Sequence, residues 1–227
     1  MKKIFFLAAV VMALFVFFAC SANNLKDITE SYSDIFRAIA SNDEQTALSL
    51  INAMASVTEN VQNTVKSEIA EIIQKSIENG YLSVLQKLAE KGLNFNISLI
   101  DDWKSTPLIL ACKLEKNDII DFLLAQKVDL NKFDEQGKNP LLYVCEKGNF
   151  EIAKKLIEAG ADVNVVETVS NQTPLVFAIL HKNVEMVKYL LSKGANKNIL
   201  VGQDKNTELE KVAKLQSTEE IYKLIKK

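Results

Sequence analysis

Pro107, Pro140 and Pro174 are the only prolines in a chain of 227 residues, and they stand 33 and 34 residues apart. Each lies in the same short string: Thr106-Pro107-Leu108, Asn139-Pro140-Leu141 and Thr173-Pro174-Leu175. Thr or Asn followed by Pro and an apolar run is a helix start. The side-chain oxygen caps an N–H of the first turn, and Pro at the first helical position lacks an N–H that would have no helical partner there. With the Thr or Asn as position 1, apolar residues return at position 6 (Ala111, Val144, Ala178) and position 15 (Ile120, Ala153, Val187). They return again at positions 18 and 19 (Leu123-Leu124, Leu156-Ile157, Leu190-Leu191). Three- and four-residue spacing is that of helices with one buried stripe. Gly148 at position 10 suits a tight turn between antiparallel helices, and Gly160 and Gly194 at position 22 suit the end of the second helix. With only 7 Gly and 3 Pro, a sandwich of many short strands or a Gly/Pro-rich linker is disfavoured. The chain reads as all-α.

A period near 33 opened by Thr-Pro-Leu resembles the ankyrin repeat. The resemblance implies an α-solenoid of helix–turn–helix units joined by short hairpin loops. Downstream, Thr207 stands 34 residues after Thr173, with Leu209, Val212-Ala213, Ile221 and Leu224-Ile225 in register, as in a terminal cap. Upstream, Gly80, Leu85, Leu88 and Gly92 mark a unit without the Thr-Pro start. Val57, Val61, Val65, Ile69, Ile72 and Ile73 keep helical spacing, which predicts that its first helix extends backward by several turns. Ile35, Phe36, Ile39, Ala47, Leu50 and Ile51 suggest an N-terminal cap. About six units are expected in a domain over 28–227, near 28–56, 57–96, 101–131, 134–165, 168–199 and 202–227. The His that follows Thr-Pro-Leu in the family is replaced by Ile109, Leu142 and Val176. Its hydrogen bonds to the turn are lost, and apolar packing is expected to compensate.

The N-terminus differs in composition. Lys2-Lys3 precede Ile4–Phe18, fifteen residues without a charge. That is short of the ~20 residues of a membrane-spanning helix and suits the apolar region of a signal peptide. Phe17-Phe18-Ala19-Cys20 then resembles a bacterial lipobox, departing at Phe17, where Leu is usual, and at Phe18, where a small residue is. The resemblance implies a signal peptide over 1–19, lipidation at Cys20 and a short tether over 20–27. The protein would then sit in the bacterial cell envelope, held to a membrane by its lipid on the periplasmic or surface face. The departures leave two alternatives open. One is cleavage near Ala22 by an ordinary signal peptidase, giving a secreted or periplasmic soluble protein; the other is an uncleaved anchor.

A net charge of -2 gives no basic excess for nucleic acid. His181 is the single His, and no CxxC, GxGxxG, P-loop, HExxH or GxSxG string occurs. No catalytic residue, metal, cofactor or small-molecule substrate is therefore expected. Cys112 and Cys145 share position 7 of adjacent repeats. Packed helices lie about 10 Å apart, too far for a disulfide between them. Position 5 (Leu110, Tyr143, Phe177) is assigned to the core.

Binding is the better prospect. The resemblance implies a protein partner on a concave face built from hairpin tips and the exposed ends of first helices. Carried onto this chain, the hairpin positions include Trp103, Phe133, Gln136 and Lys138. Helix positions 8 and 9 are Lys113 and Leu114, Glu146 and Lys147, and Leu180 and His181. Trp103, Phe133, Leu114 and Leu180 are apolar where the register predicts exposure. The expected function is that of an exported, lipid-anchored, non-enzymatic protein-binding module. The alternative is a structural or protective envelope protein without a specific partner.

Overall fold

The computed structural model describes residues 25–202, 207–216 and 218–226. The apolar N-terminal segment and Cys20 lie outside them. The chain divides into two compact units, one through Asn94 and one from Phe95.

The first unit holds α1 (Leu25–Ala40), α2 (Glu44–Ala53), α3 (Glu59–Thr64), α4 (Lys66–Asn79) and α5 (Leu82–Glu90). Helix α1 starts inside the span 20–27 expected to be a tether. Leu25 extends the apolar three- and four-residue spacing of Ile28, Tyr32, Ile35 and Ile39 by one more turn. Helix α1 packs on α2 and α4, and α2 on α5. Ile35, Ile39, Ile51, Ile69, Ile72, Ile73, Ile77, Leu85 and Leu88 are fully buried between them.

The backward extension of the 57–96 unit is not one helix. It breaks at Val65 (φ -112°, ψ 41°) into α3 and α4. The Thr64 hydroxyl donates to the carbonyl of Asn60 at 2.9 Å, a back-bond that competes with the helical ladder and bends it. Val65 leaves the helix yet stays buried, so the apolar spacing runs unbroken through a broken helix.

The second unit repeats one motif. Its helix pairs are α6 (Pro107–Lys113) with α7 (Asn117–Ala125), α8 (Pro140–Glu146) with α9 (Phe150–Glu158), and α10 (Pro174–Leu180) with α11 (Val184–Ser192). A two-residue antiparallel pair follows, β1 (Leu200–Val201) with β2 (Thr207–Glu208), in the register Leu200–Glu208 and Val201–Thr207. Then come α12 (Leu209–Gln216) and α13 (Glu219–Ile225). The first helices stack in the order α6, α8, α10, α12, each backed by its own second helix.

The helix starts follow the sequence reading. Thr106 Oγ1 accepts from the Ile109 N–H at 3.2 Å, Asn139 Oδ1 from Leu142 at 3.0 Å, and Thr173 Oγ1 from Val176 at 3.4 Å. Ile109, Leu142 and Val176, standing where the family has His, are buried in the stack, as is the position-5 row of Leu110, Tyr143 and Phe177. Cys112 and Cys145 are free and buried, as the repeat spacing requires. Burial pushes both thiols up, Cys145 to about 12. Among the described residues no helix is long and apolar enough to cross a membrane.

Candidate protein-binding surface

Three hairpins of the second unit are folded by a carboxylate at their base. Asp101 Oδ1 accepts the Ser105 N–H at 2.7 Å. Asp134 Oδ1 accepts from Gln136 at 3.0 Å and Lys138 at 3.2 Å, and Glu167 Oε2 accepts from Ser170 at 2.8 Å. An acidic residue stands at 101, 134 and 167, a period of 33 that marks these turns in the sequence. Neighbouring hairpins are tied by backbone bonds, Glu135 N–H to Trp103 carbonyl at 2.8 Å and Thr168 N–H to Gly137 carbonyl at 3.2 Å.

On this frame the four apolar residues singled out by register are exposed: Trp103 by 44%, Leu114 by 42%, Leu180 by 40% and Phe133 by 39%. Val169 at the next hairpin tip is exposed as well. These side chains meet solvent at the hairpins and at the ends of first helices whose other residues are mostly buried.

The polar candidates stand differently, because each is bonded within the chain. Lys113 Nζ lies 3.1 Å from Ser105 Oγ, 3.4 Å from Asp134 Oδ2 and 4.6 Å above the ring of Tyr143. The Tyr143 hydroxyl donates to Asp134 Oδ2 at 2.6 Å and stands 2.5 Å from the Gln136 side-chain amide. Its burial, with the Asp134 carboxylate beside it, raises the Tyr143 pKa. Lys138 Nζ grips both carboxylate oxygens of Glu146, at 2.7 and 2.8 Å.

Profiles of known families settle the architecture. The family described as ankyrin repeats matches in three overlapping copies, over residues 35–134, 72–167 and 129–201. The chain belongs to the ankyrin-repeat family. Its similarity to individual proteins is local. It is 30% identical over 74 residues to the transient receptor potential cation channel subfamily A member 1 of Drosophila melanogaster, covering 33% of this chain and 6% of that one. It is 48% identical over 40 residues to a protein of Rickettsia bellii (strain RML369-C) described as an ankyrin repeat protein, covering 18% of this chain and 24% of that one. The chain thus spans less than a quarter of the length of either relative. Ankyrin repeats serve protein–protein interaction in general, and proteins built from them are typically non-enzymatic scaffolds.

Within these ankyrin repeats, position 9 has a use that the sequence did not reveal. Lys147 Nζ donates to the carbonyl of Lys113 at 2.6 Å, and His181 Nε2 lies 2.8 Å from the carbonyl of Glu146. Both side chains reach back to the last turn of the preceding first helix, where carbonyls lack helical partners. The His181 ring also meets Phe150 edge-on, with centroids 5.8 Å apart. Sequence register predicts which residues face outward; it does not say which of them bond across to the next repeat. The ten candidates therefore separate into four apolar residues facing solvent and six polar ones engaged with the stack. Among the described residues, no group of three His, Cys, Asp or Glu side chains is placed to hold a metal.

Proposed function

We propose that this chain is an exported, lipid-anchored ankyrin-repeat protein that captures a protein partner on the hairpin and first-helix surface of residues 95–227. The observation that carries the reading is the exposure of Trp103, Phe133, Leu114 and Leu180 on repeats whose equivalent polar positions are bonded internally. Trp is a favoured anchor at interfaces, and apolar anchors surrounded by ordered polar groups are the composition of a binding hot spot. Export and anchoring rest on the Lys2-Lys3 start, the uncharged run to Phe18 and Cys20 directly after it. Multiple acyl chains on that Cys would hold the repeats at a membrane, where one chain would not.

Two experiments test the two halves. Crosslinking in native membranes is expected to trap a partner on the wild-type chain and lose it on the Trp103→Ser, Leu114→Ser, Leu180→Ser variant, with helical circular dichroism unchanged. A partner retained by that variant overturns the surface assignment. The intact mass of the purified chain is expected to show Cys20 as the first residue, carrying acyl chains. A mass that begins after Cys20, or that lacks the acyl increment, overturns the anchor.

A further inference from the structure

The chemistry of the partner is written in how this surface disposes of its charges. Four lysines lie among the exposed apolar residues, and each closes on a carboxylate of the same surface. Lys104 pairs with Glu135 across neighbouring hairpins. Lys138 pairs with Glu146 at 2.7 Å and Lys113 with Asp134 at 3.4 Å. Lys147 lies 3.9 Å from Glu115. Two of these pairs run between a hairpin and a first-helix end. They link the hairpin at 134–138 to the ends of α6 and α8, while the Asp101 and Glu167 carboxylates are taken up by N–H groups of their own hairpins. Lys132, beside Phe133, turns to Ser98 Oγ at 3.2 Å. Asp102 and Lys182, exposed with no ion pair among the described residues, are one of each sign.

A charged partner gains little here. To meet a lysine it must displace a carboxylate already in place, exchanging one ion pair for another after desolvating both. No uncompensated field of one sign steers it in. An apolar partner leaves every pair intact and removes exposed aromatic and aliphatic surface from water. Building on the binding role proposed above, we infer that the segment seated on this surface is an uncharged, apolar stretch of polypeptide, docked by aliphatic and aromatic side chains.

The test is a random-peptide phage library selected against the full chain in lipid nanodiscs. Selected peptides are expected to carry neighbouring Leu, Ile, Phe or Trp and almost no charge. The Kd of a synthetic winner should change less than about 2-fold between low and high salt, because screening has no ion contact to weaken. It should weaken at least about 10-fold on Trp103→Ser or Leu114→Ser, the loss typical of an anchor residue. Peptides rich in acidic or basic residues that bind this surface and weaken steeply with salt would overturn the inference while leaving the binding role standing. Peptides indifferent to both substitutions, or no selected peptide at all, would overturn both.

Discussion

The repeat at 101–131 and its neighbour at 134–165 trace the same backbone with opposite materials. In the second, three left-handed positions are filled by Gly137 (φ 73°), Gly148 (φ 75°) and Gly160 (φ 105°). In the first, the equivalent positions hold Lys104 (φ 49°), Glu115 (φ 54°) and Lys127 (φ 55°). A side chain in that region costs about 1–2 kcal/mol. The turns are therefore demanded by the stack, and glycine is only the cheapest way to meet the demand. Capped helix starts and buried rows on either side, such as Ile109, Ile120 and Leu123 in the first repeat, hold three unfavourable residues in place.

Gly137→Ala should break the likeness most. A Cβ there would stand 1.7 Å from Thr168 Oγ1 and 2.9 Å from Thr168 Cβ. Clash and left-handed strain together are expected to remove about 3 kcal/mol of stability in urea unfolding. Lys104→Ala at the matching position already has its Cβ, and loses only an exposed ion pair worth about 0.5 kcal/mol. Equal losses from the two substitutions would mean that the hairpins are not equivalent.

Alkaline titration separates what the repeats share from what they do not. Cys112 and Cys145 occupy the same buried position, and burial raises both above the unfolded value of 9.0. Above pH 9 the unfolded chain releases thiol protons that the folded chain keeps, so stability falls as pH rises, by about 1 kcal/mol per thiol at pH 10. Cys112→Ala and Cys145→Ala should each remove an equal share of that slope. Tyr143, raised in its turn, has Leu110 as its counterpart. Tyr189 and Tyr32 are raised as well, so Tyr143→Phe should flatten part of the further fall above pH 10, a part that the 101–131 repeat, with Leu110 in that place, does not contribute.

Much of this comparison could be read from the sequence, for a physical reason. Thr-Pro and Asn-Pro starts, position-22 glycines and apolar spacing are local steric signals, so the starts of α6, α8 and α10 and the exposure of Trp103, Leu114, Phe133 and Leu180 followed from register. Lys127 and Glu115 carry no such signal, since nothing local marks a Lys or Glu as left-handed. The break at Val65 was hidden because the apolar spacing continues through it. The bonds of Lys147 and His181 to the preceding helix end depend on how far one repeat is offset from the next, a distance that appears only once the helices are stacked.

Asn139 offers a smaller test in the stabilising direction. Its Oδ1 caps α8, but its Nδ2 is buried without a hydrogen-bond partner among the described residues. Thr106 and Thr173 cap the neighbouring first helices with a hydroxyl and bring no such group. Asn139→Thr keeps the cap oxygen and deletes the unsatisfied donor, with an expected gain of about 1 kcal/mol in the urea midpoint analysis. A loss instead would show that the shorter Asn bond to Leu142 outweighs the orphan N–H.

The smallest expected effect probes most directly how the two repeats fill their left-handed turns. Lys127→Gly places in the first repeat what Gly160 supplies in the second. It relieves a left-handed Lys but gives the unfolded chain more freedom, so the two terms partly cancel and leave about 0.5 kcal/mol of stabilisation. Glu115→Gly should yield slightly less, since it also removes the exposed partner of Lys147 at 3.9 Å. Made together, the substitutions lie in separate turns and should add. A sum near zero would mean that the side chains of Lys127 and Glu115 make contacts worth their strain, and that the 101–131 repeat keeps its shape by its own residues and not by the pressure of its neighbours.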